Sequence, residues 1–228
     1  MYKFLFIDLD DTILDFGKAE ERALRKTLQD AGLTPTETVC RRYSLINKAH
    51  WERLERGELT RDQVLVGRFH VLFEEMGCSA DPEASSVAYM QNLGLGHDFL
   101  PGALDAVISL SKKYKLYIAS NGTASVQEKR LKSADIGKYF QEIFISQEIG
   151  FNKPAVEFFQ GCFARIPDFD KARTMIVGDS LTSDILGGQN AGIATCWVNP
   201  GHKACTLAKK PDYEIESLSQ LEALLESI

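Results

Sequence analysis

Cysteine is scarce in this sequence and badly placed for cross-linking. The five residues, Cys40, Cys78, Cys162, Cys196 and Cys205, include no C-x-x-C pair and form no close cluster with the four histidines. An odd number at wide spacing excludes a disulfide framework and a Cys/His zinc site, and suits free thiols in a reducing cytosol. Long hydrophobic runs are missing too. No apolar stretch approaches the roughly 20 residues that span a bilayer. The first apolar run, Phe4 to Ile7, stops at Asp8 with only Lys3 ahead of it, so no signal peptide is expected. Positive charge is in deficit, with 26 Lys and Arg against 32 Asp and Glu and a net charge of -6. Nucleic acid polymers and anionic membrane surfaces are therefore excluded as partners, and an anionic small molecule would need a local cation to hold it. With 44% hydrophobic and 25% charged residues, the composition leaves no room for a disordered or fibrous chain. A soluble cytoplasmic globular protein is expected.

What the sequence does have is "FLFIDLDDTILD" at residues 4 to 15. A short apolar run delivers Asp8, Asp10 and Asp11 within four positions. Carboxylates this close repel, and burying one without a partner is costly. An open loop or a helix cap would explain them; a bound cation explains them better.

The chain after that point changes texture twice. Residues 2–8 read as a buried strand. From about 17 to 93 the pattern is helical throughout. "KAEERALRKTLQDAG" stops at Gly32, and "TETVCRRYSLINKAHWERLERG" runs to Gly57. Thr60 with Gln63 makes a capping box, and Asp81-Pro82 reads as cap plus first-turn proline. Phe16-Gly17 and Gly94 to His97 read as hinges. After Pro101, strands and helices alternate: strands at 115–120, 142–146, 174–179, 194–198 and 213–215, with helices at 103–113, 123–134, 155–165, 183–191 and from 218. Such alternation predicts an α/β fold, a Rossmann-like three-layer core with a parallel sheet. The expected organisation is a catalytic core from residues 1–15 and 97–228, with a helical cap domain, 16–96, inserted after the first strand.

Parallel sheets bind ligands at the carboxyl ends of their strands. Those ends carry Asp8-Leu9-Asp10, then Ser120-Asn121-Gly122, then "GFNKP" with Lys153, then "GDSLTSD" with Asp179 and Asp184. Singly, each has an ordinary explanation: Ser120 as a turn hydroxyl, Lys153 as a solvated lysine, Ser183 and Asp184 as helix caps. Together, in order, they suit phosphoryl transfer to an aspartate. A carboxylate attacks phosphorus only when anion repulsion is relieved, and Mg²⁺ held by oxygens relieves it. Lysine neutralises a further phosphate oxygen, and the rest is positioning and electrostatics.

"DLDDT", "SNG", "KP" and "GDSLTSD" resemble, in order, the four motifs of the haloacid dehalogenase (HAD) superfamily, with the helical insert where its type-1 (C1) cap sits. The resemblance implies Asp8 as nucleophile, an aspartyl-phosphate intermediate and Asp10 as general acid/base. It implies Mg²⁺ bound by the Asp8 carboxylate, the Asp10 backbone carbonyl and Asp179, with Asp184 in or just outside that set. Ser120, Asn121 and Lys153 would hold the phosphate. Dehalogenating branches lack the second aspartate, so Asp10 argues for a phosphatase; a phosphomutase would share the chemistry. A phospho-receiver or non-catalytic binding protein would be shorter or would have no use for every reactive group. "DLDDTILDF", "GDSLTSDILGGQNAGI" and "TCWVNPG" look similar to cytosolic pyrimidine-type 5′-nucleotidases. The expected substrate is a nucleoside monophosphate, with sugar phosphates or phosphoglycolate as the alternative. Phe16 and Trp51 are the candidate specificity residues of the cap, with Tyr43 and His50 near them.

Overall fold

β1 (Phe4–Ile7) is buried along its whole length, and the period-2 alternation of a strand divides it between two hydrophobic layers. Leu5 and Ile7 face a cluster containing Leu110, Leu116, Ile118, Met175 and Val177; Phe4 and Phe6 face Tyr117, Phe144, Phe158, Phe159 and Ile176. A strand that is apolar on both sides must be covered on both sides, which is why the run reads as continuous rather than alternating. The structure is a computed structural model and describes Met1–Ile228. Its chain divides into two compact units, one formed by Met1–Asp15 with His97–Ile228 and the other by Phe16–Gly96.

The first unit is built on six strands: β1, β2 (Lys115–Ser120), β3 (Glu142–Ile145), β4 (Thr174–Gly178), β5 (Ala194–Val198) and β6 (Tyr213–Ile215). Their order is β3-β2-β1-β4-β5-β6, and every pairing is parallel. β1 lies between β2 and β4, with Ile7 level with Ile118 and Val177. The residues that follow these three strands therefore emerge side by side. Connecting helices, numbered here in whole-chain order after the four of the second unit, are α5 (Ala103–Ser111), α6 (Ala124–Ala134), α7 (Ser146–Ile149), α8 (Val156–Phe163), α9 (Leu186–Ala191) and α10 (Leu221–Ser227). Where the chain leaves and re-enters this unit its two passages are tied together. Asp15 N–H donates to the Asp98 carbonyl (2.8 Å), Leu100 N–H to the Ile13 carbonyl (3.0 Å), and Leu14 bridges Phe99.

The second unit contains α1 (Phe16–Asp30), α2 (Glu37–Glu55), α3 (Arg61–Met76) and α4 (Pro82–Leu93). The capping box at Thr60 and Gln63 is present in both directions, Asp81 accepts from Ala84 N–H, and Gly77 ends α3 in the left-handed region at φ 61°. The core of this unit is a cluster of Tyr43, Phe69 and Tyr89, with ring centroids 5.2 to 5.6 Å apart. Beside it lies a buried polar chain. Arg68 donates to Asn47 Oδ1 (2.8 Å), Asn47 donates to Glu20 Oε1 (2.7 Å), and Ser44 donates to Glu20 Oε2. Burial raises the Glu20 carboxyl above its ordinary value, against the pull of Ser44, Asn47 and Arg68. No helix in the chain is long and apolar enough to cross a membrane.

Several boundaries differ from the sequence expectation: β4 stops at Gly178, α5 at Ser111, α6 starts at Ala124, α8 spans Val156–Phe163 and α10 starts at Leu221, and three further differences have a local cause. β1 is shorter than residues 2–8, because the ladder gives way at Asp8 to a turn in which Ile13 and Leu14 both donate to the Leu9 carbonyl. The helix expected at 183–191 begins as a wide π-type turn, Leu181–Ile185, before α9 continues it. The strand expected through residue 146 ends at Ile145, and Ser146 opens α7.

Candidate active site

The site lies at the carboxyl edge of β1, β2 and β4. Asp8 follows β1 and donates its N–H to the Val177 carbonyl (2.9 Å), which holds it beside the end of β4. Asp179 follows β4 directly. Asp184 lies in the wide turn that opens the next helix, where Ser180 N–H donates to its Oδ2 (3.1 Å) and Ser180 Oγ accepts from Ser183 N–H (3.2 Å). Such turns favour functional sites because the extra residue re-aims a side chain. Gly178 makes the approach possible, since a Cβ there would overlap the Asp184 carboxylate.

Lys153 joins these acids. Its ammonium is 2.7 Å from Asp8 Oδ1 and 2.6 Å from Asp184 Oδ1, and it also donates to the Ala119 carbonyl. It is almost completely buried, as is Asp184. Burial works against the lysine's charge, and Asp184 and Asp8 more than compensate, so Lys153 is held above its ordinary value. Asn121 fixes the lysine's backbone from both sides: its Nδ2 donates to the Lys153 carbonyl and its Oδ1 accepts the Lys153 N–H, each at 2.8 Å. Its side chain thus positions the Lys153 backbone.

Oxygens of Asp8, Asp179 and Asp184 lie within 4.8 Å of one another. One ammonium cannot balance three carboxylates, two of them buried and the third, Asp179, half-buried. Burial therefore pushes Asp8 up to about 8, with Asp184 and Asp10 adding to it and Lys153 opposing. Asp179 stands well above the ordinary carboxylate range, through burial first and then the charges of Asp184, Asp8 and Asp11. The donor set is oxygen-only and hard, with two charges left over. That is the chemistry of a small divalent cation such as Mg²⁺, which takes few carboxylates and completes its shell with water and phosphate.

Asp10 does not join the acids. Its Oδ2 accepts from Gln127 Nε2 (2.6 Å) and its Oδ1 from Arg130 Nη1. Both partners are buried on α6, and neither was anticipated from the sequence. Gln127 Nε2 also donates to Ser120 Oγ (2.9 Å), linking the ends of β1 and β2.

The description that matches this chain is "Haloacid dehalogenase-like hydrolase", over residues 5–198. The chain belongs to this family. A HAD-hydrolase of Bacillus subtilis strain 168, YfnB, is 42% identical over 98% of this chain and 95% of its own. A crystal structure of YfnB, described as bound to magnesium and revealing interdomain movement, has a TM-score of 0.94 and covers 98% of both chains. The pyrimidine 5′-nucleotidase PynA of Streptococcus pneumoniae is 37% identical, over 96% of this chain and 93% of that one. The pyrimidine 5′-nucleotidase YjjG of Escherichia coli K12 is 31% identical, over 98% of each. The HAD site residues quoted from the four strand ends all lie in the first unit. The candidate specificity residues lie in the second. Phe16 is the first residue of α1, and Trp51 is a partly exposed residue of α2 whose ring stands 5.4 Å from the Arg61 guanidinium. Tyr43 belongs to the aromatic core of its unit, and His50 Nδ1 lies 2.8 Å from the Ile46 carbonyl.

Proposed function

We propose that this HAD-like hydrolase is a magnesium-dependent phosphatase of small phosphate monoesters, with nucleoside 5′-monophosphates, pyrimidine ones foremost, as its substrates. The observation that carries this reading is Asp8 paired with buried Lys153 inside an acidic cluster, with a second aspartate two residues further along the chain. The names of PynA and YjjG support the choice of leaving group. The Asp8 and Asp179 carboxylates and the Asp10 backbone carbonyl would hold the metal, with Asp184 in or beside that set. Bound Mg²⁺ would supply the positive charge that lets the Asp8 carboxylate and a phosphate approach each other.

The chain's own groups do the rest. Asp8 attacks phosphorus, and the bond to the alcohol oxygen breaks as the Asp8–phosphorus bond forms. Asp10 gives its proton to the departing oxygen. It then takes a proton from the water that cleaves the aspartyl phosphate, returning both carboxyls to their starting state. Lys153 and the Ser120 hydroxyl hold phosphoryl oxygens, with Asn121 fixing the lysine. A leaving group that departs from carbon as halide needs no such proton, so Asp10 sets this chain apart from dehalogenation. The helical unit acts as the cap that discriminates among leaving groups, with Phe16 and Trp51 as its candidate contacts.

The test is a panel of UMP, dTMP, sugar phosphates, phosphoglycolate and p-nitrophenyl phosphate with Mg²⁺, alongside Asp8→Asn. Faster release of phosphate from UMP or dTMP, abolished in the variant, is expected. Preference for sugar phosphates would overturn the choice of substrate, and turnover that survives Asp8→Asn would overturn the mechanism.

A further inference from the structure

The buried face of α6 carries two polar side chains that the HAD motifs do not include. Gln127 and Arg130 stand three residues apart, so they share that face. Arg130 Nη1 donates to Gln127 Oε1 (3.0 Å) as well as to Asp10 Oδ1. An arginine can only donate. The Gln127 oxygen must therefore point at Arg130, and its NH₂ group must point the other way, at Asp10 Oδ2 and Ser120 Oγ. The orientation of the amide follows from the network and from nothing else.

Two consequences follow at the reacting groups. Each Asp10 oxygen accepts one hydrogen bond from α6, so the carboxyl is held at a fixed angle at the end of β1. Ser120 Oγ accepts from Gln127 and from Gly122 N–H (3.0 Å), which fills both of its lone pairs. All that Ser120 has left to offer is its own hydrogen, and a hydroxyl in that state can engage a phosphoryl oxygen but not a competing donor. Gly122 belongs to the same device. A Cβ at that position would overlap the Gln127 side chain, so glycine is what admits the amide between Ser120 and Asp10.

We propose that Gln127 and Arg130 are positioning residues for phosphoryl transfer: they hold Asp10 where it protonates the departing alcohol, and they commit the Ser120 hydroxyl to donation. The proposal rests on the phosphatase reading above.

The experiment compares kcat/KM for UMP, whose alcohol must be protonated as it leaves, with kcat/KM for p-nitrophenyl phosphate, whose phenolate leaves without a proton. This parameter reports only the steps through transfer to Asp8, so later hydrolysis does not enter it. Arg130→Met and Gln127→Leu should lower it about 100-fold for UMP and less than about 10-fold for p-nitrophenyl phosphate, since a positioned acid contributes on the order of 10²–10⁴. Arg130→Lys should restore part of the UMP rate. Gly122→Ala should reproduce the selective loss without altering any charged group, and it carries the test if the Arg130 variants fail to fold. Equal loss on the two substrates, or an unchanged ratio in Gly122→Ala and Gln127→Leu, would overturn the positioning roles alone. A wild-type enzyme that releases phosphate from neither substrate would overturn those roles and the phosphatase reading together.

Discussion

Replacing Asp8, the proposed nucleophile, should make the metal-free protein more stable. Asp8 is buried, and burial pushes its carboxyl from an ordinary 3.8 up to about 8 even though Lys153 opposes the shift. Between those two values the folded chain keeps a proton that the unfolded chain has already released. Its stability therefore falls as pH rises through that window, and the full loss is felt above about pH 8. A displacement of about four pH units corresponds to roughly 5–6 kcal/mol, at about 1.4 kcal/mol per unit. Asparagine has the same shape, needs no proton, and still offers an oxygen to Lys153, although it weakens that ion pair. Set against the whole shift, a net gain of about 2–4 kcal/mol at pH 8 is expected, which is roughly 4–16 °C in melting temperature for a unit of this size. From pH 8 down to pH 5 the wild type regains about 3–4 kcal/mol of this, so the advantage of the variant should vanish at pH 5. The assay is calorimetric or fluorescence melting of wild type and Asp8→Asn in EDTA from pH 5 to 8.5. A variant that melts at or below wild type at pH 8, or a difference that grows toward acid pH, would refute the argument that burial of this carboxylate is uncompensated by protein groups.

Three further outcomes are expected. Addition of Mg²⁺ should raise the wild-type melting temperature more at pH 8 than at pH 6, because a cation displaces protons from the raised Asp8 and Asp179 carboxyls; a pH-independent shift would count against binding at these acids. Gly178→Ala should drive Asp184 out of its place and weaken magnesium binding at least about 10-fold by calorimetric titration, in line with the cost of disturbing groups that orient metal ligands. Arg68→Met should destabilise the helical unit by about 3–5 kcal/mol, the usual cost of breaking a buried charge network on one side. Magnesium affinity should be unchanged in that variant, and loss of affinity would show that the two units are not independent in this respect.

The strands were legible because both faces of the sheet are covered. "KLYIAS" and "ATCWV" could be bounded to the residue, since each largely apolar run begins and ends with its ladder, and the edge strand "YEI" was bounded by the polar residues on either side of it. Helix caps were legible for a local reason: the Thr60–Gln63 box and the Asp81 cap are made by side chains bonding within three positions of themselves. The wide turn at Leu181–Ile185 was not, because its purpose is to bring Asp184 against Gly178, a contact that periodicity does not encode. Nor was the Gln127–Arg130 pair. In "ASVQEKRLKSA" both residues sit among other polar and charged side chains, and a buried glutamine or arginine looks like one more solvated position until its partners, Asp10 and Ser120, arrive from other parts of the chain. The one available hint was that Gln127 and Arg130 lie on the same face as Val126 and Leu131, the apolar stripe of the helix. The short α7 escaped for want of length, since four residues show no period.

The stitched crossing formed by Ile13, Leu14 and Asp15 with Asp98, Phe99 and Leu100 has a consequence for how such a protein could change over time. Everything from Phe16 to Gly96 begins and ends at a doorway that the sheet closes for itself. The helices behind that doorway could be lengthened, exchanged or lost while the strands keep their register and the acids their places. A chain built this way can acquire a new appetite for substrates without relearning its chemistry, and grafting a foreign insert between Asp15 and His97 would be the direct way to make it do so.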